Sequence, residues 1–224
     1  MAFPLLSTEH FSCIQLELQG VGIQFVRLSA GEVVHSTMIT SAQLIPYRTS
    51  SEDYKKTKEL KGKFAKLRQE RVPLYLTLDE FDDILQWKLG NQYGRQRERR
   101  QVNTGGVIRT VTMAALSLSH PVDDYETELR VGILCALRGV GVPVTSAILA
   151  PVFPEKYAVI DFRGWRQVFG EGRTTFSVSD YKRYLGEIRR LALELGWSVQ
   201  EVDLAILEYN RIHGWKSTAS KAAG

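Results

Sequence analysis

Two short stretches of the sequence carry residue types and spacings that can do chemistry. The first runs Leu137-Arg138-Gly139-Val140-Gly141-Val142-Pro143-Val144. Apolar, helix-like residues flank it, and glycine permits both positive φ and close approach of the backbone to another surface. Val140 can plug between the two helices while the surrounding amides face outward. Proline is a good first residue of a helix, so Pro143 marks the start of the second one, whose free amides and positive dipole end favour an anion. A phosphate of a nucleic-acid backbone, bound without base readout, suits that geometry. An ordinary glycine turn between two packed helices suits it as well.

The second stretch is Val159-Ile160-Asp161-Phe162-Arg163, with Asp161 lying 18 residues beyond Pro143. An aspartate that follows apolar residues and opens a helical pattern reads as an N-cap. It also has a chemical reading. A carboxylate against apolar walls at a helix N-terminus stays charged yet poorly screened, which makes it an effective support for a developing cation.

A third feature is electrostatic. Over residues 88–109, Lys88, Arg95, Arg97, Arg99, Arg100 and Arg109 face only Glu98. Clustered arginines repel one another unless an anion neutralises them, and Gly90, Gly94, Gly105 and Gly106 predict a mobile backbone there. A DNA backbone supplies such an anion; a solvated loop is the plainer alternative. Residues 52–71 set eight basic side chains against four acidic ones and read as a charged helix face.

Those residues need elements to position them. The spacing predicts a charged helix over 51–71, then one opened by a capping box at Thr77 and Glu80 that runs through Phe81, Ile84, Leu85 and Lys88 to Gly90. Further helices are expected over 107–118, from Asp123 to Leu137 with Leu129, Ile133 and Leu137 on one face, over 143–153, and from Ser177 to a stop at Gly196. A second capping box, Ser198 and Glu201, opens the last one. Residues 11–45 alternate loosely; short strands fit them better than an amphipathic helix. Trp165, Phe169, Trp197 and Tyr209 read as packing, and the four histidines have no metal-ligand spacing.

The chain has 224 residues, a formal charge of +4 and 44% hydrophobic residues. That excludes wholesale disorder and allows a substantial core. The first 50 residues are net −1, so the excess of basic residues lies beyond them. No run approaches the roughly 18 apolar residues of a membrane span, and the N-terminus lacks a signal-peptide pattern. Cys13 and Cys135 read as two buried free thiols of a reducing compartment rather than a disulfide or metal pair. A cytoplasmic monomer, nucleoid-associated if bacterial, is the expectation. It comprises an appendage over 1–50, a helical domain over 51–215 and a frayed tail over 216–224.

The Gly139-Val140-Gly141 turn, a helix containing Ala147 and Leu149, and an apolar-Asp step at Asp161 together resemble the helix-hairpin-helix DNA glycosylase superfamily. The match is strongest over 123–170 and weaker over 78–118 and 178–214. The resemblance implies a mainly α fold, with two helical halves around a DNA-binding cleft and a helix-hairpin-helix motif; the first 50 residues lie outside it, and their alternation adds the expectation of a short β N-terminal appendage. It assigns Asp161 as the catalytic aspartate. Gly139, Val140, Gly141, Val142, Pro143 and Val144 become the DNA-binding hairpin, and the carbonyls of Cys135, Leu137 and Val140 a site for Na+ or K+. Lys88, Arg95, Arg97, Arg99, Arg100 and Arg163 become backbone contacts, and Gln86, Trp87 and Tyr93 the base pocket or wedge.

Pro143 stands where bifunctional members carry a nucleophilic lysine, so strand cleavage through a Schiff base at that position is not expected. Phe162-Arg163 replaces the Thr-His pair that often follows the aspartate. No four-cysteine run follows Asp161, so no iron–sulfur cluster is expected. The implied activity on double-stranded DNA is monofunctional: base flipping, then hydrolysis of the N-glycosidic bond to leave an abasic site. A helix-hairpin-helix DNA-binding module without chemistry is the alternative. An abasic-site or nuclease activity is weaker, since no metal-binding carboxylate cluster is evident.

Overall fold

Local signals mark most helix ends, and the backbone follows them. The structure is a computed structural model that describes residues 39–48 and 52–214, all within one unit, Ser36–Gly224. The expected strands up to residue 38, Cys13, and the tail from 215 onward lie outside the described residues. The described residues are mainly helical and contain no strand.

In chain order the helices are α1 (Ser41–Leu44), α2 (Glu52–Glu70), α3 (Leu78–Leu89), α4 (Arg97–Arg100), α5 (Gly105–Ser117), α6 (Asp123–Leu134), α7 (Val142–Val152), α8 (Phe162–Phe169), α9 (Val178–Leu195) and α10 (Val199–His213). Both expected capping boxes form: the Thr77 hydroxyl accepts from the Glu80 amide and the Ser198 hydroxyl from the Glu201 amide, with each glutamate reaching back to its cap. Ser177 and Asp180 form a third at the start of α9. Gly170 and Gly196 end α8 and α9 with φ of 71° and 65°, values that a side chain resists.

Three expectations change. Residues 41–47 are helical turns rather than strand, and Ile39 and Leu44 belong to the core of the helical unit, so they are not part of an appendage. Gly90–Gln96 forms a 3-10 helix that runs into α4, so the arginine-rich segment is helical rather than an open loop. On α6 the buried face is Glu126, Thr127, Arg130, Val131 and Leu134, while Leu129 and Ile133 are only half-buried and Leu137 lies past the helix end. The reason is hydrogen bonding: the last carbonyls of α5 need donors, and the Arg130 guanidinium gives bonds of 3.1 Å to Ala115 and 3.3 Å to Leu116. Glu126 pairs with Arg130 at 2.8 Å and with Lys156 at 3.0 Å, so this charged face is internally neutralised.

At the centre lies α7, buried along nearly its whole length from Val142 to Val152. It packs against α2, α3 and α6, while α8 and α9 pack on α10 and α6 touches α9. One continuous apolar cluster joins all of these, from Leu44 and Phe64 through Ile148 to Trp165, Tyr181 and Ile206. Each large apolar side chain buried there contributes roughly 1.5–3 kcal/mol before entropy is counted. Trp165 is fully buried against Phe169 and Phe176, as its packing role predicts.

Candidate functional site

Asp161 caps α8. Its Oδ1 accepts from the amides of Arg163 and Gly164, each at 2.9 Å, which leaves Oδ2 facing the Lys88 ammonium at 3.8 Å. The cap has a steric condition: a Cβ on Gly164 would lie 2.6 Å from the Tyr184 hydroxyl, so glycine lets that ring close over the helix start.

The strand-like approach to Asp161 is pinned from four helices. Tyr181 of α9 donates to the Ala158 carbonyl at 2.9 Å, and Asp203 of α10 accepts from the Val159 amide at 2.8 Å. Ser146 of α7 accepts from the Ile160 amide at 3.1 Å, and Lys88 of α3 donates to the Ile160 carbonyl at 3.4 Å. Every main-chain group so held fixes where the carboxylate ends up.

Asp161 lines a pocket of about 710 Å3 between α2 and α3 on one side and the start of α8 with α10 on the other. Gln86, Trp87, Lys88, Arg163, Gln200 and Asp203 share the lining. Trp87 is half-buried against the core.

The electrostatics of this wall are unusual. Burial pushes the Lys88 ammonium down from its ordinary value, against the pull of Asp161 and Asp203. Burial likewise pushes Asp203 up, to about 7, even though its oxygens accept from the Val159 amide and from the Tyr184 hydroxyl at 3.1 Å. Perturbed groups sharing one cavity make it a candidate site, although structural ion pairs shift such groups as well.

A second concavity, about 700 Å3, is formed by the turn between α6 and α7. Cys135, Leu137, Gly139, Val140, Gly141, Pro143 and Val144 line it, opposite Arg95, Arg99 and Arg100. Gly139 has φ of 73°, a left-handed conformation, whereas Gly141 is extended at φ −115° and serves as the N-cap of α7. Among the described residues, the amides of Gly139, Gly141 and Val142 have no hydrogen-bond partner. The two concavities flank the end of α3: Leu89 lines this one, while Lys88 and Gly90 line the pocket of Asp161.

Asn103, which no sequence pattern singles out, locks the turn in place. Its side-chain amide donates to the Arg138 carbonyl at 2.9 Å and accepts from the Arg138 amide at 3.0 Å. Asp203, Gln200 and Ser146 are likewise unmarked in the sequence, because nothing local to them signals a site.

Several expected roles need correcting. Lys88 is too buried for a backbone contact, and its Nζ lies against Asp161 and the Ile160 carbonyl. Arg100 is buried too: its guanidinium donates to the Tyr93 carbonyl and stacks over the Tyr93 ring at 5.0 Å. Its stem packs under the turn, where a Cβ on Gly139 would meet Arg100 Cγ at 2.8 Å. Tyr93 does not line the pocket of Asp161, since its hydroxyl donates to Asp82. Gln86 also donates to Asp82, at 2.7 Å, while remaining at the pocket edge.

Arg95, Arg97 and Arg99 are exposed, though Arg97 is off the lining of the turn's concavity. Arg163 is exposed at the pocket of Asp161, its guanidinium 5.0 Å from the Phe162 ring. Val142 is buried in the core and does not line the turn's concavity. At the proposed cation position the Leu137 carbonyl accepts from the Val140 amide at 3.1 Å. Cys135 is a free, half-buried thiol 3.5 Å from the Thr145 hydroxyl.

Among the described residues, no three His, Cys, Asp or Glu side chains converge as a metal site, and no helix is long and apolar enough to cross a membrane. Comparison with protein-family models, with curated proteins and with solved structures returned no significant match.

Proposed function

We propose that this protein is a monofunctional DNA glycosylase that hydrolyses the N-glycosidic bond of a damaged or modified base and leaves an abasic site. The observation that carries the reading is the shared pocket of Asp161, Trp87, Gln86 and Lys88, next to a glycine turn whose free amides face exposed arginines. On this reading the turn, Arg95 and Arg99 hold the phosphate backbone, and the extruded base enters the pocket and stacks on Trp87.

As the C1′–N bond breaks, its electron pair leaves with the base and positive charge develops on the sugar. Asp161 stabilises that charge and orients the water whose oxygen bonds to C1′. The water's proton passes to a pocket carboxylate, and the departing base acquires a proton. Pro143 offers no amine at the turn.

The second reading is a DNA-binding module without chemistry. One observation favours it: both oxygens of Asp161 already have partners, the α8 amides and Lys88.

Asp161→Asn decides between them, because asparagine caps a helix about as well as aspartate and the fold should survive. Bases released from a panel of lesion-bearing and enzymatically modified duplexes are identified by mass spectrometry. Glycosylase activity predicts that at least one base is released and that Asp161→Asn abolishes release while duplex binding persists. Release of no base by the unaltered protein would leave the binding module. A covalent adduct trapped by borohydride on abasic DNA would overturn the monofunctional assignment.

A further inference from the structure

The pocket contains a group that neither the capping of α8 nor the proposed bond cleavage uses. Gln200 lines it and is buried, yet neither Oε1 nor Nε2 of its amide has a hydrogen-bond partner. Among the described residues the only other such side-chain atom is the indole nitrogen of Trp165. The backbone of Gln200 is fixed in the first turn of α10, its amide bonding the Pro154 carbonyl at 3.0 Å. A buried polar group without a partner destabilises the fold and calls for an explanation. Here both halves of one amide, an acceptor beside a donor, are unpartnered and covered, on a residue that lines the same cavity as Trp87.

We infer that Gln200 reads the edge of the extruded base, and that the base is of the lactam type, with a ring N–H beside a carbonyl, as in hypoxanthine, uracil or guanine derivatives. The inference rests on the reading of this pocket as a base site. The glutamine amide and a lactam edge are complementary: ring N–H donates to Oε1, and the carbonyl accepts from Nε2. An amino-type edge, as in adenine or cytosine, also pairs with an amide, so a neighbour must decide between them.

Lys88, which lines the same pocket, is the group that can decide. It has donors and no acceptor, so it favours carbonyl oxygens over exocyclic amino groups. A lactam anion also spreads onto its carbonyl the electron pair received from the broken bond, where a cation stabilises it. Both amide atoms are covered in this state, so side chains of the pocket wall must move before the base reaches them.

The test uses the full chain and free bases in matched pairs, hypoxanthine against adenine and uracil against cytosine, with binding followed by saturation-transfer NMR. The expected result is tighter binding of the lactam member by about tenfold, equivalent to about 1.4 kcal/mol. Gln200→Leu should lower that preference to less than about threefold. Its thermal midpoint should be unchanged or higher, because it removes an unpartnered buried amide. Binding of neither member, equal binding, preference for adenine and cytosine, or a preference that survives Gln200→Leu would each overturn the inference.

Base release from duplexes is scored separately. Lactam preference with no release from any duplex leaves the role of Gln200 standing and removes the glycosylase. Release whose base spectrum is indifferent to Gln200→Leu removes the role of Gln200 alone.

Discussion

Lys88, Asp161 and Asp203 present two carboxylates and one ammonium to a poorly solvated wall, and burial resists charge on both Lys88 and Asp203. The Asp203 carboxyl is raised from 3.8 to about 7, so the folded state holds its proton more tightly than the unfolded chain does. Its contribution to stability is therefore greatest below about pH 4 and is lost as pH rises through about 7. Asp203→Asn keeps both hydrogen-bond positions, since the amide oxygen can accept from Val159 and the amide nitrogen can donate to the Tyr184 hydroxyl. The expected outcome is a variant that gains stability relative to the unaltered protein on going from about pH 5 to about pH 8. Thermal midpoints of both proteins at the two pH values check this, and an unchanged difference would contradict it. Gly164 is the other residue on which the site turns. A Cβ there would strike the Tyr184 hydroxyl, loosening the start of α8 and with it the amides that hold Asp161.

At the scale of elements, the turn between α6 and α7 separates two glycines that look alike in the sequence. Gly139 has positive φ and sits against the stem of Arg100, whereas Gly141 is extended with its nearest neighbour, Pro143 Cδ, at 4.0 Å. Gly139→Ala should cost on the order of 1–3 kcal/mol and weaken duplex binding. Gly141→Ala should change stability by less than about 1 kcal/mol. Chemical denaturation and a binding titration on each variant test the contrast.

Asn103 belongs to the same scale, because it ties the end of the arginine-rich helix to the turn through both main-chain groups of Arg138. Asn103→Ala removes both bonds to the Arg138 main chain and should cost about 1–3 kcal/mol, with a loss of duplex affinity that exceeds the loss of stability. Comparing the unfolding midpoint with the dissociation constant tests that ordering.

At the scale of the whole described unit, the proposed DNA contact depends on which basic residues are free to meet a phosphate. Arg95 and Arg99 are exposed beside the turn, whereas Arg100 is committed to Tyr93 and Lys88 to the Asp161 pocket. Removing Arg95 or Arg99 should therefore lower the slope of log affinity against log salt by about 1 each and leave stability nearly unchanged. Arg100→Ala should instead show mainly in the unfolding midpoint. Salt titrations of duplex binding on the three variants test this, and equal slopes for all would contradict it.

The sequence by itself determined the longer helices and most of their ends. Thr77 with Glu80, Ser198 with Glu201, and the stop at Gly196 each act over three or four residues, so one stretch of chain contains both the signal and its partner. The turn glycines and Asp161 at a helix start were legible for the same reason. The face of α6 was not, because Arg130 is buried to serve carbonyls of a different helix. Only the tertiary structure brought Lys88 and Asp203 to Asp161, set Asn103 on the turn and left Gln200 without a partner in a cavity. Those relations join residues far apart in the chain, and burial decides their chemistry: a lysine reads as a surface cation until the fold takes water away from it.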